Sequence, residues 1–129
     1  MTLFIRADNP DVLIEIGADN QIVASKLWQA GRELSVQINQ VIEDLLLLAD
    51  AKLPDVTGIV VYQGPGSYTG LRISVSVANA LGYSLAIPVV ATSGENWKDA
   101  GSTKLKTADN FAPVAPVYGG QVYTTTPRK

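Results

Sequence analysis

Apolar and polar positions along the chain change period several times, and each change marks an element. Leu3 to Ala7 is a short apolar run ended by the turn-forming Asp8-Asn9-Pro10-Asp11. Val12 to Ile16 is a second run, Gly17-Ala18-Asp19-Asn20 a second turn, and Gln21 to Lys26 a third extended segment. Tight turns between three such runs predict an antiparallel meander. From about Arg32 to Ala51 the period becomes helical and ends before Pro54. Gly58-Ile59-Val60-Val61-Tyr62 reads as a buried strand. Val75, Val77, Ala78, Leu81 and Leu85 follow helical spacing, and Val89-Val90-Ala91 reads as a fifth strand. The order is βββαβαβ. Glu95 to Asn110 loses all period and reads as a mobile polar loop.

The first helix carries more apolar surface than one core stripe needs. Leu34, Ile38, Val41, Ile42, Leu45, Leu46 and Leu48 fill an arc of roughly 160° at about 100° per residue. Val36 and Leu47 fall outside it. Two readings stand. Either the arc is covered within the domain and two apolar residues lie in water, or part of it packs on a partner. The second helix keeps its surface small through Ser74, Ser76, Ala78, Ala80 and Gly82, which permits close helix–helix approach.

Between strand and helix lies Gln63-Gly64-Pro65-Gly66-Ser67-Tyr68-Thr69-Gly70-Leu71-Arg72-Ile73. Gly64 and Gly66 tolerate positive φ, Pro65 fixes its own φ, and Ser67 or Thr69 suits a helix cap. Gly70 lets another backbone come close. Arg72, on the first helical turn, faces the positive end of the helix dipole and calls for a carboxylate or a partner. The loop is either a phosphate cradle or a corner that presents a helix to a partner. It is not a Walker A loop, because no Gly-Lys-Ser/Thr follows the glycines.

Composition limits the chemistry. The chain has 129 residues and net charge −2, is about half apolar, and contains no cysteine and no histidine. Disulfides, thiol chemistry and the commonest general base are therefore excluded. Its few scattered basic residues argue against a dedicated nucleic-acid surface. Without a signal-like start or a membrane-length run, a cytoplasmic location is expected. Asp8 with Asp11 sits in a turn, and Glu43 with Asp44 lies at adjacent helix positions that do not share a face. Ser67 would need a base, and nothing in the sequence brings Lys98 or Lys104 near it. No catalytic residue and no metal ligand is assigned.

The run Gly64 to Ile73, GPGSYTGLRI, resembles the GPGS(F/Y)TG(L/V)RIG signature of the TsaB (YeaZ) family. Arg32 to Ile38 with Val41 and Ile42 is similar to that family's first helix, and Ala86 to Ser93 to its "lPVvgVSsL" strand. A fainter likeness, Pro113 to Tyr123, is to the "PVIDARRGEVY" strand that opens its second domain. The resemblance implies an α/β fold of the ribonuclease-H-like, actin-like ATPase superfamily, here one βββαβαβ domain with a mixed sheet. It implies a domain at 1–94, a polar loop at 95–112 and a C-terminal strand or tail at 113–129, as in a short version lacking most of the second domain.

The resemblance also implies a role. The family supplies a non-catalytic subunit for making threonylcarbamoyladenosine on tRNA. It pairs through its first two helices with the TsaD catalytic subunit, or with a second copy of itself, and TsaE is a further ATPase of the pathway. Contact with tRNA comes only through the complex. On this likeness the signature-loop residues are Gly64, Pro65, Gly66, Ser67, Tyr68, Thr69, Gly70 and Arg72. The partner interface is Leu34, Ile38, Val41, Leu45, Leu71, Val75 and Ala78. No cofactor is expected on the chain alone, with ATP or ADP at a junction between subunits. The family's first-strand Asp-Thr is degraded: Arg6-Ala7 aligns with it, or Asp8-Asn9 after a shorter hairpin. Leu34-Ser35 stands where the family often has His-Ser. The rival readings are a self-associating nucleotide-binding module of the actin-like and sugar-kinase superfamily, a glycoprotease-like hydrolase, and a homodimeric remnant.

Overall fold

A computed structural model describes residues 1–118. One five-stranded sheet is built from β1 (Thr2–Arg6), β2 (Asp11–Ala18), β3 (Gln21–Gln29), β4 (Gly58–Tyr62) and β5 (Val89–Thr92), in the order β3-β2-β1-β4-β5. The first three strands form the expected antiparallel meander, and β4 and β5 add in parallel, so the sheet is mixed. Parallel pairing needs crossovers. The first is α1 (Leu34–Leu48), entered through a 3₁₀ turn at Gly31–Glu33, and the second is α2 (Tyr68–Leu85).

Alternation along the strands makes two cores. Leu3, Ile5, Ile14, Ile16, Ile59 and Val61 face α1 and α2. Phe4, Val60 and Tyr62 face the other way, where Trp97 meets Phe4 and Tyr62 edge to face, at 6.2 and 5.8 Å. All five residues of β4 are buried, as a central strand covered on both faces requires.

Trp97 belongs to a third helix, α3 (Trp97–Leu105), where the sequence predicts a mobile polar loop from Glu95 to Asn110. Its composition hides it: Gly101 breaks the apolar pattern, yet glycine is needed there because a Cβ would strike Val60. Small size, not hydrophobicity, lets α3 lie on the sheet. A second correction concerns the domain boundary. Residues 109–118 are neither helix nor strand but lie along α2 and are fastened to it and to the end of β4, so the domain does not end at 94. Of the strand or tail expected at 113–129, the part up to Tyr118 has no regular structure, and the remainder lies outside the described residues. Among the described residues no helix is long and apolar enough to cross a membrane.

Candidate docking face and signature loop

The signature loop is packed by the protein's own backbone. A Cβ on Gly66 would strike Asp8, one on Gly70 the carbonyl of Ala7, and one on Gly64 the carbonyl of Val117. Gly64 also has φ +115°, and its peptide bond to Pro65 is cis. The Ser67 amide donates to the Asp8 carbonyl at 2.7 Å, and the Ser93 hydroxyl donates to the Gly64 carbonyl. The space each glycine leaves is thus filled by the exit of β1 or by residues 113–118. Of the two sequence readings, this geometry is that of a structural corner. Ser67 occupies the N-cap position of α2 without a side-chain cap bond. The capping role expected of Ser67 or Thr69 is not played by a hydroxyl, because the β1 exit already holds the loop.

The degraded first-strand motif has become an ion pair. Arg6 donates to both Asp8 carboxylate oxygens, at 2.8 and 3.1 Å, and its guanidinium lies 3.9 Å from the Tyr62 ring centroid. The hydrogen bond that Arg6 donates to Asp8 is the main cause that raises the Arg6 pKa above its ordinary value. A raised pKa stabilises the fold below the ordinary value and loses that contribution only at more alkaline pH. Arg6 therefore stays charged throughout the neutral range. Asp11 donates its amide to Asn9, Asp44 accepts from Gln40, and Lys98 pairs with Glu15 at 2.6 Å. Lys104 donates to the Ala91 carbonyl. The side chains of Asp8, Asp44, Lys98 and Lys104 are thus engaged in local structure.

The seven apolar residues expected at a partner interface are inside the domain. Leu34, Ile38, Val41, Leu45, Leu71, Val75 and Ala78 are all buried, none more than 6% exposed. The wide apolar arc of α1 is mostly consumed by the sheet and by α2. Val36, Leu47 and Leu48, at 74–76% exposed, are what lies in water. Any partner on these helices therefore meets a different set of side chains. Ser35, Tyr68, Thr69, Arg72, Ile73, Ser76 and Val77 line a groove of about 380 Å³ where α1 meets α2. Ile73 and Val77 are half-buried and supply its apolar floor. Arg72 is exposed and has no carboxylate within ion-pair reach among the described residues. It stands one turn into α2, past the first-turn position expected, because the helix starts at Tyr68.

Sequence reasoning missed Asn79 and Gln63. Asn79 is a lone amide on a helix of small and apolar residues, and that was the available signal. It bonds both backbone groups of Val114 at 2.9 Å, and Gln63 bonds the Ala115 carbonyl and the Val117 amide. Phe111 and Tyr118 pack on Tyr83 and Tyr68.

Comparison with known proteins agrees with this architecture. A family model described as TsaD, tRNA N6-adenosine threonylcarbamoyltransferase, matches residues 28–96. The chain is 32% identical over 122 residues to the tRNA threonylcarbamoyladenosine biosynthesis protein TsaB of Bacillus subtilis, covering 95% of this chain and 52% of that one. It is 28% identical over 112 residues to the protein of the same description from Escherichia coli, covering 74% and 48%. The structure of YeaZ from Pseudomonas aeruginosa superposes with a TM-score of 0.67 at 24% identity, over 78% of this chain and 49% of that one. The fold is thus that of YeaZ structures, ribonuclease-H-like and actin-like. The chain spans about half the length of the curated relatives it matches.

Proposed function

The chain belongs to the TsaD family, on its TsaB (YeaZ) side, and from that premise we propose that it is a non-catalytic docking subunit. Its role is in forming threonylcarbamoyladenosine on tRNA, at the adenosine next to the anticodon, in the cytoplasm. Its partner is a TsaD-type catalytic subunit, which receives the outer face of α1 and α2. A TsaE-type ATPase joins the assembly, and tRNA is reached only through the complex. ATP or ADP, where involved, sits at the junction with the partner. Alone, the chain pairs with a second copy of itself through the same face.

One observation carries the reading: the groove where α1 meets α2, with an apolar floor and an exposed Arg72 at its rim. Small side chains at Ser35, Thr69 and Ser76 leave room for another helix to approach closely. Half-buried Ile73 and Val77 supply area to bury, and Arg72 offers a charge for a partner carboxylate. The signature loop serves this surface by fixing where α2 starts. Its glycines hold the helix against β1, so the groove is presented rigidly.

The test is size-exclusion chromatography with light scattering, on the chain alone and mixed with the TsaD-type subunit of the same organism. A one-to-one complex is expected, replacing any homodimer. Arg72→Glu and Val77→Asp are expected to weaken it while leaving a folded chain. An elution profile indifferent to that subunit would remove the reading.

A further inference from the structure

Residues 109–118 form a strap that runs against the direction of α2, from its last turn to its first. Phe111 lies at the far end, where Gly82 has no Cβ to obstruct its ring and Tyr83 meets it edge to face, centroids 5.9 Å apart. At mid-length the Asn79 amide accepts from the Val114 N–H and donates to the Val114 carbonyl, both at 2.9 Å. One side chain thereby does what a neighbouring strand would do for that residue. Further on, Gln63 Nε2 donates to the Ala115 carbonyl at 3.1 Å, and the Val117 amide donates to the Gln63 carbonyl at 2.8 Å. At the near end Tyr118 stacks on Tyr68 with centroids 4.4 Å apart.

Tyr68 is also a wall of the groove where α1 meets α2, beside Thr69 and Arg72. It is the first residue of α2 and is more than half exposed. The stack with Tyr118 is therefore a main restraint on its ring. The strap has no ladder of its own. Ala112, Pro113, Ala115 and Val117 are exposed between the anchors. Pro113 and Pro116 bracket the Asn79 contact and fix φ on both sides of it. The two prolines limit how the segment can bend, so a change at its middle is carried toward Tyr118.

We propose that Asn79 is a positioning residue of the docking face. It pins the strap, the strap stacks Tyr118 on Tyr68, and Tyr68 then stands fixed at the mouth of the groove that receives a partner helix. This rests on the docking role proposed above. Asn79 itself lies on the strap side of α2 and is not among the residues that line the groove.

The experiment compares wild type, Asn79→Ala and Tyr118→Ala by amide hydrogen exchange and by calorimetric titration with the TsaD-type subunit. In Asn79→Ala the Val114 and Val117 amides are expected to exchange about five- to thirtyfold faster, the effect of losing one or two hydrogen bonds. Ile5 and Val60 amides, in the sheet, should keep their protection and so report an intact fold. Both variants should bind the partner more weakly, by about threefold or more, with Tyr118→Ala acting although it leaves the Asn79 bonds in place. Unchanged exchange at Val114 would overturn the pinning. Faster exchange with unchanged affinity would overturn the positioning role. A wild-type chain that does not bind the partner would remove the docking reading and this proposal together, an outcome distinct from binding that ignores Asn79→Ala.

Discussion

Gly70 rests on the carbonyl of Ala7 so closely that no side-chain carbon fits between them. The first turn of α2 and the exit of β1 are in backbone contact there, and the Ser67 amide to Asp8 carbonyl bond closes the same junction at 2.7 Å. The glycines of the signature loop are therefore explained by packing within the domain.

Gly70→Ala should destabilise the fold by about 1–3 kcal/mol, because backbone must move to admit a methyl group. Gly31 is the control. Its φ of +58° makes alanine strained, but nothing lies within 4 Å of the added carbon, so the loss should be only about 1 kcal/mol. Urea denaturation of both variants checks this. Equal losses would show that the close approach at Gly70 relaxes freely.

Helix α1 separates core from surface within three residues. Leu34 is 5% exposed and Val36 is 74% exposed. Leu34→Asp should cost more than about 4 kcal/mol and leave an unfolded or molten chain, since a carboxylate there has no partner and no water. Val36→Asp should change stability by no more than about 0.5 kcal/mol. Thermal melts followed by circular dichroism distinguish the two. The same contrast is expected between Val75→Asp and Ser76→Asp on α2.

Ala86 ends α2 in the left-handed region, at φ 55° and ψ 48°. Glycine occupies that position without the steric cost that a Cβ imposes. Ala86→Gly is thus expected to raise stability by about 1 kcal/mol, measured as a higher denaturation midpoint with an unchanged slope.

The Lys98–Glu15 pair joins α3 to β2 across 2.6 Å, and Ser25 donates a further bond to Glu15. The Glu15 side chain is only 12% exposed, whereas Lys98 is 37% exposed and partly screened by water. Lys98→Met should cost about 1–3 kcal/mol, mostly from leaving a nearly buried carboxylate with one hydroxyl partner. Adding Glu15→Gln to Lys98→Met should restore part of the loss. A double variant no better than the single one would show that the cost of Lys98→Met does not come from the stranded Glu15 carboxylate.

Much of the fold was legible because strands and helices have their own periods. Extended runs between turn residues gave all five strands, and the 3.6-residue period gave α1 and α2. The signature loop was legible as a strand-to-helix corner and as a family mark. Helix α3 was not, because its contact with Val60 depends on Gly101, a residue that reads as a breaker when no neighbour is in view. Nor was the strap, since the bonds of Asn79 to Val114 span 35 residues and leave no local pattern.

By itself the sequence determined the order of elements as far as β5, the family and the chemistry the residues exclude, since these follow from residue type and near-neighbour spacing. Only the tertiary structure decided which side of each helix is covered. An apolar arc on α1 looks the same whether sheet or partner lies against it, and packing alone put Leu34, Ile38, Val41 and Leu45 inside. The proposed docking groove is drawn instead by Ser35, Ile73, Ser76 and Val77, whose shared surface exists only once two helices separated in sequence are laid side by side on one sheet.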